Sequence, residues 1–335
     1  MRCLLVITTL FLLFSCGENS PEKIYMEGKA FGTTYHIQYF SQEGFDAQEG
    51  IDSVVEAVNH SVSTYIPNSD ISKINRGDST VVIDQTFREV FVLSEKIHKQ
   101  TQGYFDPTIG VLRNAYGFGD AKPLQEIDST TLDSLMQFVG FDKVTLTSEN
   151  TIQKTHPQIY FDFNAIAKGY GIDLLGSYLE KNQITNYLIE LGGEILAKGI
   201  NVEKQKPWVV GIESVNSEIN NRNVAETVPL KNEAMASSGN YRKFRIDSLT
   251  GKKYVHTINP ITGKAQQSNV TSATVIAPTC AEADAYATSF MALGLEKAKK
   301  LLQTLPKVEA YLTYTDSLNQ HKEYLTEGMK ARIQD

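Results

Sequence analysis

Apolar positions along this chain follow two rhythms. Between residues 48 and 62, Ile51, Val54, Val55, Val58 and Val62 recur at three- and four-residue intervals, which places them on one face of a helix. Phe87, Val90, Phe91, Leu93 and Ile97 predict a second helix over 86–99, and a short third covers 130–138. Ile172, Leu175 and Leu179 face inward from a helix over 165–181, and helices are also predicted at 281–293 and 296–302. Alternation predicts strands at 35–40, 208–212 and 270–277, with further strands at 159–163, 186–190 and 308–314. Segments 236–246 and 253–258 flank Thr250-Gly251 and read as a β-hairpin. Helices and strands are interspersed without a regular βαβ rhythm, which favours a layered α+β fold over a doubly wound one.

The first residues stand outside this pattern. Arg2 gives a positive start and Leu4 to Phe14 an apolar run too short for a permanent span. Ser15-Cys16-Gly17 follows, which resembles a bacterial lipoprotein cleavage site, although Phe14 is bulkier than usual there. The expected product starts at a lipid-bearing Cys16; an ordinary secretory signal with a coincidental cysteine is the alternative. Either way, residues 1–15 read as a signal and 16–23, polar with Pro21, as the anchor and tether. Of three cysteines only Cys280 then remains, so no intramolecular disulfide is expected. The net charge of −7 comes with no basic stripe, which disfavours nucleic acid as a partner. An acidic protein that handles phosphate needs a local cation.

Several stretches carry chemistry. Ala281 to Thr288 is alanine-rich and puts Asp284 and Thr288 at i, i+4 on one helical face. Such an oxygen pair suits Mg²⁺, and also occurs by chance on helix surfaces. Phe161-Asp162-Phe163-Asn164-Ala165 runs off a strand into a helix whose N-terminus offers N–H groups to an anion, with Lys168 a turn further in. Asp162 or Asn164 serves equally as an ordinary cap. Asn114 to Gly119 reads as a glycine-spaced aromatic loop able to lay a ring against a ligand, or equally to cover the core. Thr101 to Thr108 reads as a turn that ends a helix. Glu190 precedes the paired glycines Gly192-Gly193, a β-turn or a close backbone path to a ligand. His256 sits at a strand end beside a Pro/Gly turn and is the best acid–base candidate of six histidines.

In order and number, these blocks resemble the FAD:protein FMN transferases, the ApbE family. The resemblance runs from Phe31-Gly32-Thr33-Thr34-Tyr35 through Ser63 to Pro67, Phe105 to Thr108, Tyr116-Gly117-Phe118 and Ala165 to Tyr170. It continues through Gly192-Gly193-Glu194, Ser238 to Tyr241 and His256 to Pro260, and ends at Asp284 with Thr288. It implies an α+β fold, a single layered catalytic domain of the ApbE-like, T-fold-related type over residues 24–335, with room for a smaller lobe. It implies transfer of FMN from FAD to a threonine hydroxyl of a partner flavoprotein, periplasmic or membrane-associated, with AMP released. Mg²⁺ would be held by Asp284, Thr288 and the backbone carbonyl of Ala165. FAD would contact Phe31, Tyr65, Tyr116, Gly117, Phe118, Asp162, Lys168 and the strand end His256 to Ile258, and His256 would deprotonate the acceptor threonine. Phe31 replaces a common Met and Tyr116 a common Trp, both keeping a large apolar surface. With water as nucleophile the same site would split FAD into FMN and AMP. A flavin-binding lipoprotein without chemistry is a third reading, and it would need neither metal ligands nor a base.

Overall fold

Alternating segments 35–40 and 270–277 enter one large sheet, whereas 208–212, buried on one face only, joins a separate two-stranded one. The structure, a computed structural model, describes residues 20–42, 44–214, 223–240, 244–246 and 253–334. The chain opens with strands β1 (Glu22–Ala30) and β2 (Thr33–Ser41). Helices α1 (Gln48–Val62), α2 (Asp70–Asn75), α3 (Gln85–Gln100), α4 (Gly110–Tyr116) and α5 (Ser129–Met136) follow. A small ribbon of β3 (Val144–Leu146) and β4 (Ile152–Lys154) precedes α6 (Ala167–Lys181). Next come β5 (Tyr187–Leu191), β6 (Glu194–Lys198), β7 (Trp208–Glu213), β8 (Val224–Leu230) and β9 (Glu233–Gly239). A second ribbon pairs β10 (Phe244–Ile246) with β11 (Lys253–Val255). The C-terminal part supplies β12 (Val270–Ala277), α7 (Cys280–Leu293), α8 (Leu295–Leu302), β13 (Glu309–Thr315), β14 (His321–Leu325) and α9 (Glu327–Gln334).

Eight strands form the antiparallel sheet β1-β2-β5-β6-β9-β12-β13-β14. On one face Ala236, Ala273, Val275, Ala310 and Leu312 join the core that contains Ala283, Ala287 and Phe290 of α7. On the other, Ile195, Met235, Ile276 and Tyr311 pack with Trp208, Val210 and Val228 of the β7–β8 pair and Met329 of α9. Strand side chains alternate between faces, so a single residue step selects the layer. The result is the layered α+β arrangement expected.

Several elements differ from the reading above. Residues 159–163 are extended but make only an isolated bridge, Tyr160 to Ile109, because the side chain of Asn75 takes the ladder partner's place. Asn75 donates to the Phe161 carbonyl (2.9 Å) and accepts from its N–H (2.7 Å), both buried. The expected hairpin of 236–246 with 253–258 divides: residues up to Gly239 belong to β9 in the main sheet, and β10–β11 form the separate ribbon. Its turn at Thr250-Gly251 lies outside the described residues, as do Cys3 and Cys16. The aromatic loop is in part helix, with Tyr116 the last residue of α4 and Gly117 its left-handed cap at φ 80°. Cys280 is a free, buried thiol.

Candidate active site

Two helices build a buried, charged corner of the fold. Helix α6 starts at Ala167 with no side-chain cap of its own. Its Gly169 N–H is instead accepted by Asp284 Oδ2 (3.3 Å) from α7. The helices touch closely there: a Cβ on Gly169 would lie 2.4 Å from the Cys280 carbonyl oxygen, so glycine is the residue that fits. Asp284 is buried, whereas Thr288, one turn on, is half-buried. The turn over 164–166 that carries Ala165 leads directly into α6.

Lys168 lies in the first turn of α6 and forms an ion pair with the buried Glu194 at the start of β6. Burial works against the Lys168 ammonium, but Glu194 and Asp284 outweigh it and hold its pKa above the ordinary lysine value. Burial pushes the Glu194 carboxyl up, with Lys168 pulling it back. Asp173, one and a half turns along α6, is raised to about 7 by burial, against the N–H groups of Ala281 and Cys280 that it accepts. Two acids, Glu194 and Asp284, thus act on one ammonium in a place shielded from water, with Asp173 buried close to Asp284. A surplus of buried negative charge is costly unless a cation offsets it. Carboxylate, hydroxyl and carbonyl are hard oxygen donors, so Asp284, Thr288 and Ala165 fit an ion such as Mg²⁺.

Among the described residues, one grouping of acid and imidazole side chains has ligand spacing, and it lies elsewhere. His60, Asp70 and Asp84 each offer an atom within 4.8 Å of the others. Ordinary structural partners account for its acids. Asp84 caps α3 through Phe87 N (2.8 Å) and accepts from Ser61 Oγ (2.7 Å), and Asp70 pairs with Lys73 (3.0 Å).

Arg113 organises the neighbouring segment. Its guanidinium donates to Asp162 Oδ1 (2.9 Å) and to the Phe118 carbonyl (2.7 Å), tying the 161–164 stretch to the end of α4. Asp162 also accepts from Asn164 N (2.8 Å), a local turn bond ahead of the helix; neither residue caps α6, whose cap position is Ile166, which corrects the cap reading. The Tyr116 ring is 4% exposed and packs with Leu112, Val139, Ile258 and Ala265, its centroid 5.1 Å from that of Tyr254. This favours the core-covering form of the aromatic segment: Tyr116 and Ile258 are core side chains. Arg245 of β10 reaches across to the Tyr116 carbonyl (3.0 Å), and a Cβ on Gly117 would meet that guanidinium at 2.8 Å.

His256 follows β11 directly and is half-buried. Its neighbour Thr257 donates to Asn240 Oδ1 (3.0 Å) at the end of β9. Asn240 Nδ2 is buried with no hydrogen-bond partner, a donor that a bound group can satisfy. Phe31 sits at the β1–β2 turn with φ 49°, a conformation rare for a bulky side chain, and its ring lies against Gly171 of α6. Tyr65 is exposed, in the loop between α1 and α2. Glu190 engages His36 Nδ1 (2.9 Å) and caps the glycine turn through Gly193 N (2.7 Å). The turn reading of Gly192-Gly193 therefore holds, with both residues at positive φ.

Sequence reasoning missed Arg113, Asp173 and Asn75, and quoted Glu194 without seeing its partner. One signal for Asp173 was available, an acid set between the apolar residues Ile172 and Leu174 in the predicted helix.

The fold and site together define a layered antiparallel-sheet protein in which an acid of one helix, Asp284, caps the N-terminus of another. The chain belongs to the ApbE family, whose profile matches residues 31–312. It is 34% identical over 311 residues to the FAD:protein FMN transferase of Haemophilus influenzae, covering 89% of each chain. To the FAD:protein FMN transferase of Vibrio cholerae it is 33% identical over 334 residues, covering 98% of this chain and 97% of the other. The solved structure of the flavin transferase ApbE from Vibrio cholerae superposes with a TM-score of 0.82 at 31% identity, covering 93% of this chain and all of that one.

Proposed function

We infer that this protein is an FAD:protein FMN transferase that uses Mg²⁺. The observation that carries the reading is the α6–α7 corner, where Asp284 of α7 caps the start of α6 at Gly169 beside the Lys168 ammonium. Asp284, Thr288 and the Ala165 carbonyl would hold the ion. Bound there, Mg²⁺ would supply Lewis-acid polarisation and charge neutralisation at the FAD pyrophosphate. Lys168 and the α6 N-terminal amides favour an anion at the same place. Asp162, held by Arg113, and the backbone at Tyr116, Gly117 and Phe118 position the rest of FAD, with Phe31, Tyr65 and the His256 to Ile258 strand end.

His256 accepts the proton of the acceptor threonine hydroxyl, which is a poor nucleophile until a base assists it. The threonine oxygen bonds to the FMN phosphorus, the bond from that phosphorus to the bridging oxygen breaks, and AMP leaves. The acceptor is a periplasmic or membrane-associated flavoprotein with a target threonine. The N-terminal reading completes the picture: signal 1–15, lipid on Cys16, tether to 23 and catalytic domain 24–335 facing the periplasm. No described helix is long and apolar enough to cross a membrane, so in this reading the lipid provides attachment.

The test is direct. The purified protein is incubated with FAD, Mg²⁺ and an acceptor domain bearing a flavinylation threonine, and the gel is viewed for flavin fluorescence. A fluorescent acceptor is expected. Free FMN and AMP without labelled acceptor would instead make it a pyrophosphatase, and intact FAD a binder.

A further inference from the structure

Helix α7 begins with its amides held by another helix. Asp173 of α6 accepts Cys280 N–H through Oδ1 (2.8 Å) and Ala281 N–H through Oδ2 (2.9 Å). Thr279 takes the next two: its Oγ1 accepts from Glu282 N (3.2 Å) and its carbonyl from Ala283 N (3.1 Å). Side chains therefore match the open amides of Cys280, Ala281 and Glu282, and the Ala283 bond begins the regular helical ladder. The exchange is reciprocal, since Asp284 of α7 caps the α6 start at Gly169. Two carboxylates cross between two helices, with the Gly169 contact as the fulcrum.

We propose that Asp173 is a positioning residue for the cation pocket, fixing the axial placement of Asp284 and Thr288 against the Ala165 turn. The proposal rests on the metal reading above. A helix advances about 1.5 Å per residue. Mg²⁺ needs near-octahedral oxygens at about 2.0–2.1 Å. A slip of α7 by a fraction of one residue is therefore enough to spoil the site. Thr279 caps the same helix end, but it belongs to the α7 side and does not link α7 to α6. Asp173 is the group that sets one helix against the other.

The experiment compares Asp173→Ala, Asp173→Asn and Thr279→Ala in the full chain. Mg²⁺ is titrated while the thermal unfolding midpoint is followed, and FAD binding is measured without metal by flavin fluorescence. Loss of a group that orients a ligand typically weakens metal binding about 10–100-fold. That rise in half-saturating Mg²⁺ is expected for Asp173→Ala, with a smaller rise for Asp173→Asn, which keeps one acceptor oxygen. Thr279→Ala should leave it unchanged, FAD affinity should hold throughout, and excess Mg²⁺ should restore transfer. Wild-type Mg²⁺ response in both Asp173 variants would overturn the proposal, as would an equal shift in Thr279→Ala, which would mean simple fraying. Should Asp173→Ala not fold, Asp173→Asn decides alone. A wild-type chain with no Mg²⁺ response at all would instead remove the metal reading and this inference with it.

Discussion

The two ends of the candidate site are built on different principles. The cation end rests on α6 and α7, both packed against the central sheet, and its charged groups are buried and cross-linked by amide–carboxylate bonds. The flavin and acceptor end rests on shorter elements: α4, the three-residue strands β10 and β11, and the bend at His256. It is held by backbone carbonyls and long guanidinium arms, Arg113 to Phe118 and Arg245 to Tyr116. The contrast follows from what each end must do. An ion needs fixed distances, which rigid helices give. A protein acceptor must approach and leave, so its entrance has to stay near the surface.

The largest expected effect lies at the cation end. Asp284→Ala should remove the ion and several kcal/mol of transition-state stabilisation, a fall in transfer on the order of 10⁴-fold. It should also leave the α6 start uncapped, costing about 1 kcal/mol of stability. Transfer at a normal rate by that variant would reduce the pair of Asp284 and Thr288 to helix surface.

At the other end, His256→Ala should slow transfer about 10²-fold or more while FAD binding persists, since general-base help is of that size. Near-normal labelling of the acceptor would take His256 out of the mechanism. Gly169→Ala probes the cation end without touching its chemistry. Its methyl must push Cys280 away, at about 1–3 kcal/mol, visible in urea unfolding and accompanied by weaker Mg²⁺ binding. A stable variant with unaltered Mg²⁺ affinity would show that the helix contact is slack.

The smallest effect is in pH dependence. Burial raises Asp173 from its ordinary 3.8 to about 7, so the folded chain holds this proton more tightly than the unfolded one. Its stabilising contribution is therefore full below about 4 and declines as pH rises through about 7. Asp173→Asn, which does not ionise, should show a flatter fall in metal-free stability across that window. Parallel profiles for the two proteins would contradict it.

What the sequence revealed tracks how each element is buried. Helix α1 and strand β12 show through because one face or both carry apolar residues in a clear period. Strands β1 and β14 lie at the sheet edges, mostly exposed, and their polar composition hides them. Strand β6 hides for the opposite reason: Glu194, Ile195, Leu196 and Ala197 are all buried, so no alternation remains. The i, i+4 spacing of Asp284 and Thr288 was legible because it is local. The Asp173 bonds span 107 and 108 residues and the Arg113–Asp162 bond spans 49, distances at which no periodicity reports a contact.

The order of the sheet has a bearing on biogenesis. Strands β1, β2, β5 and β6 all come from the first 198 residues, and β9, β12, β13 and β14 from the last part of the chain. The two sets meet only at the short seam of Ile195, Leu196 and Ala197 with Met235, Ala234 and Glu233, directly beneath the α6–α7 contact. In the proposed site Ala165 is made long before Asp284 and Thr288. The ion can then be captured only once α7 has packed on α6.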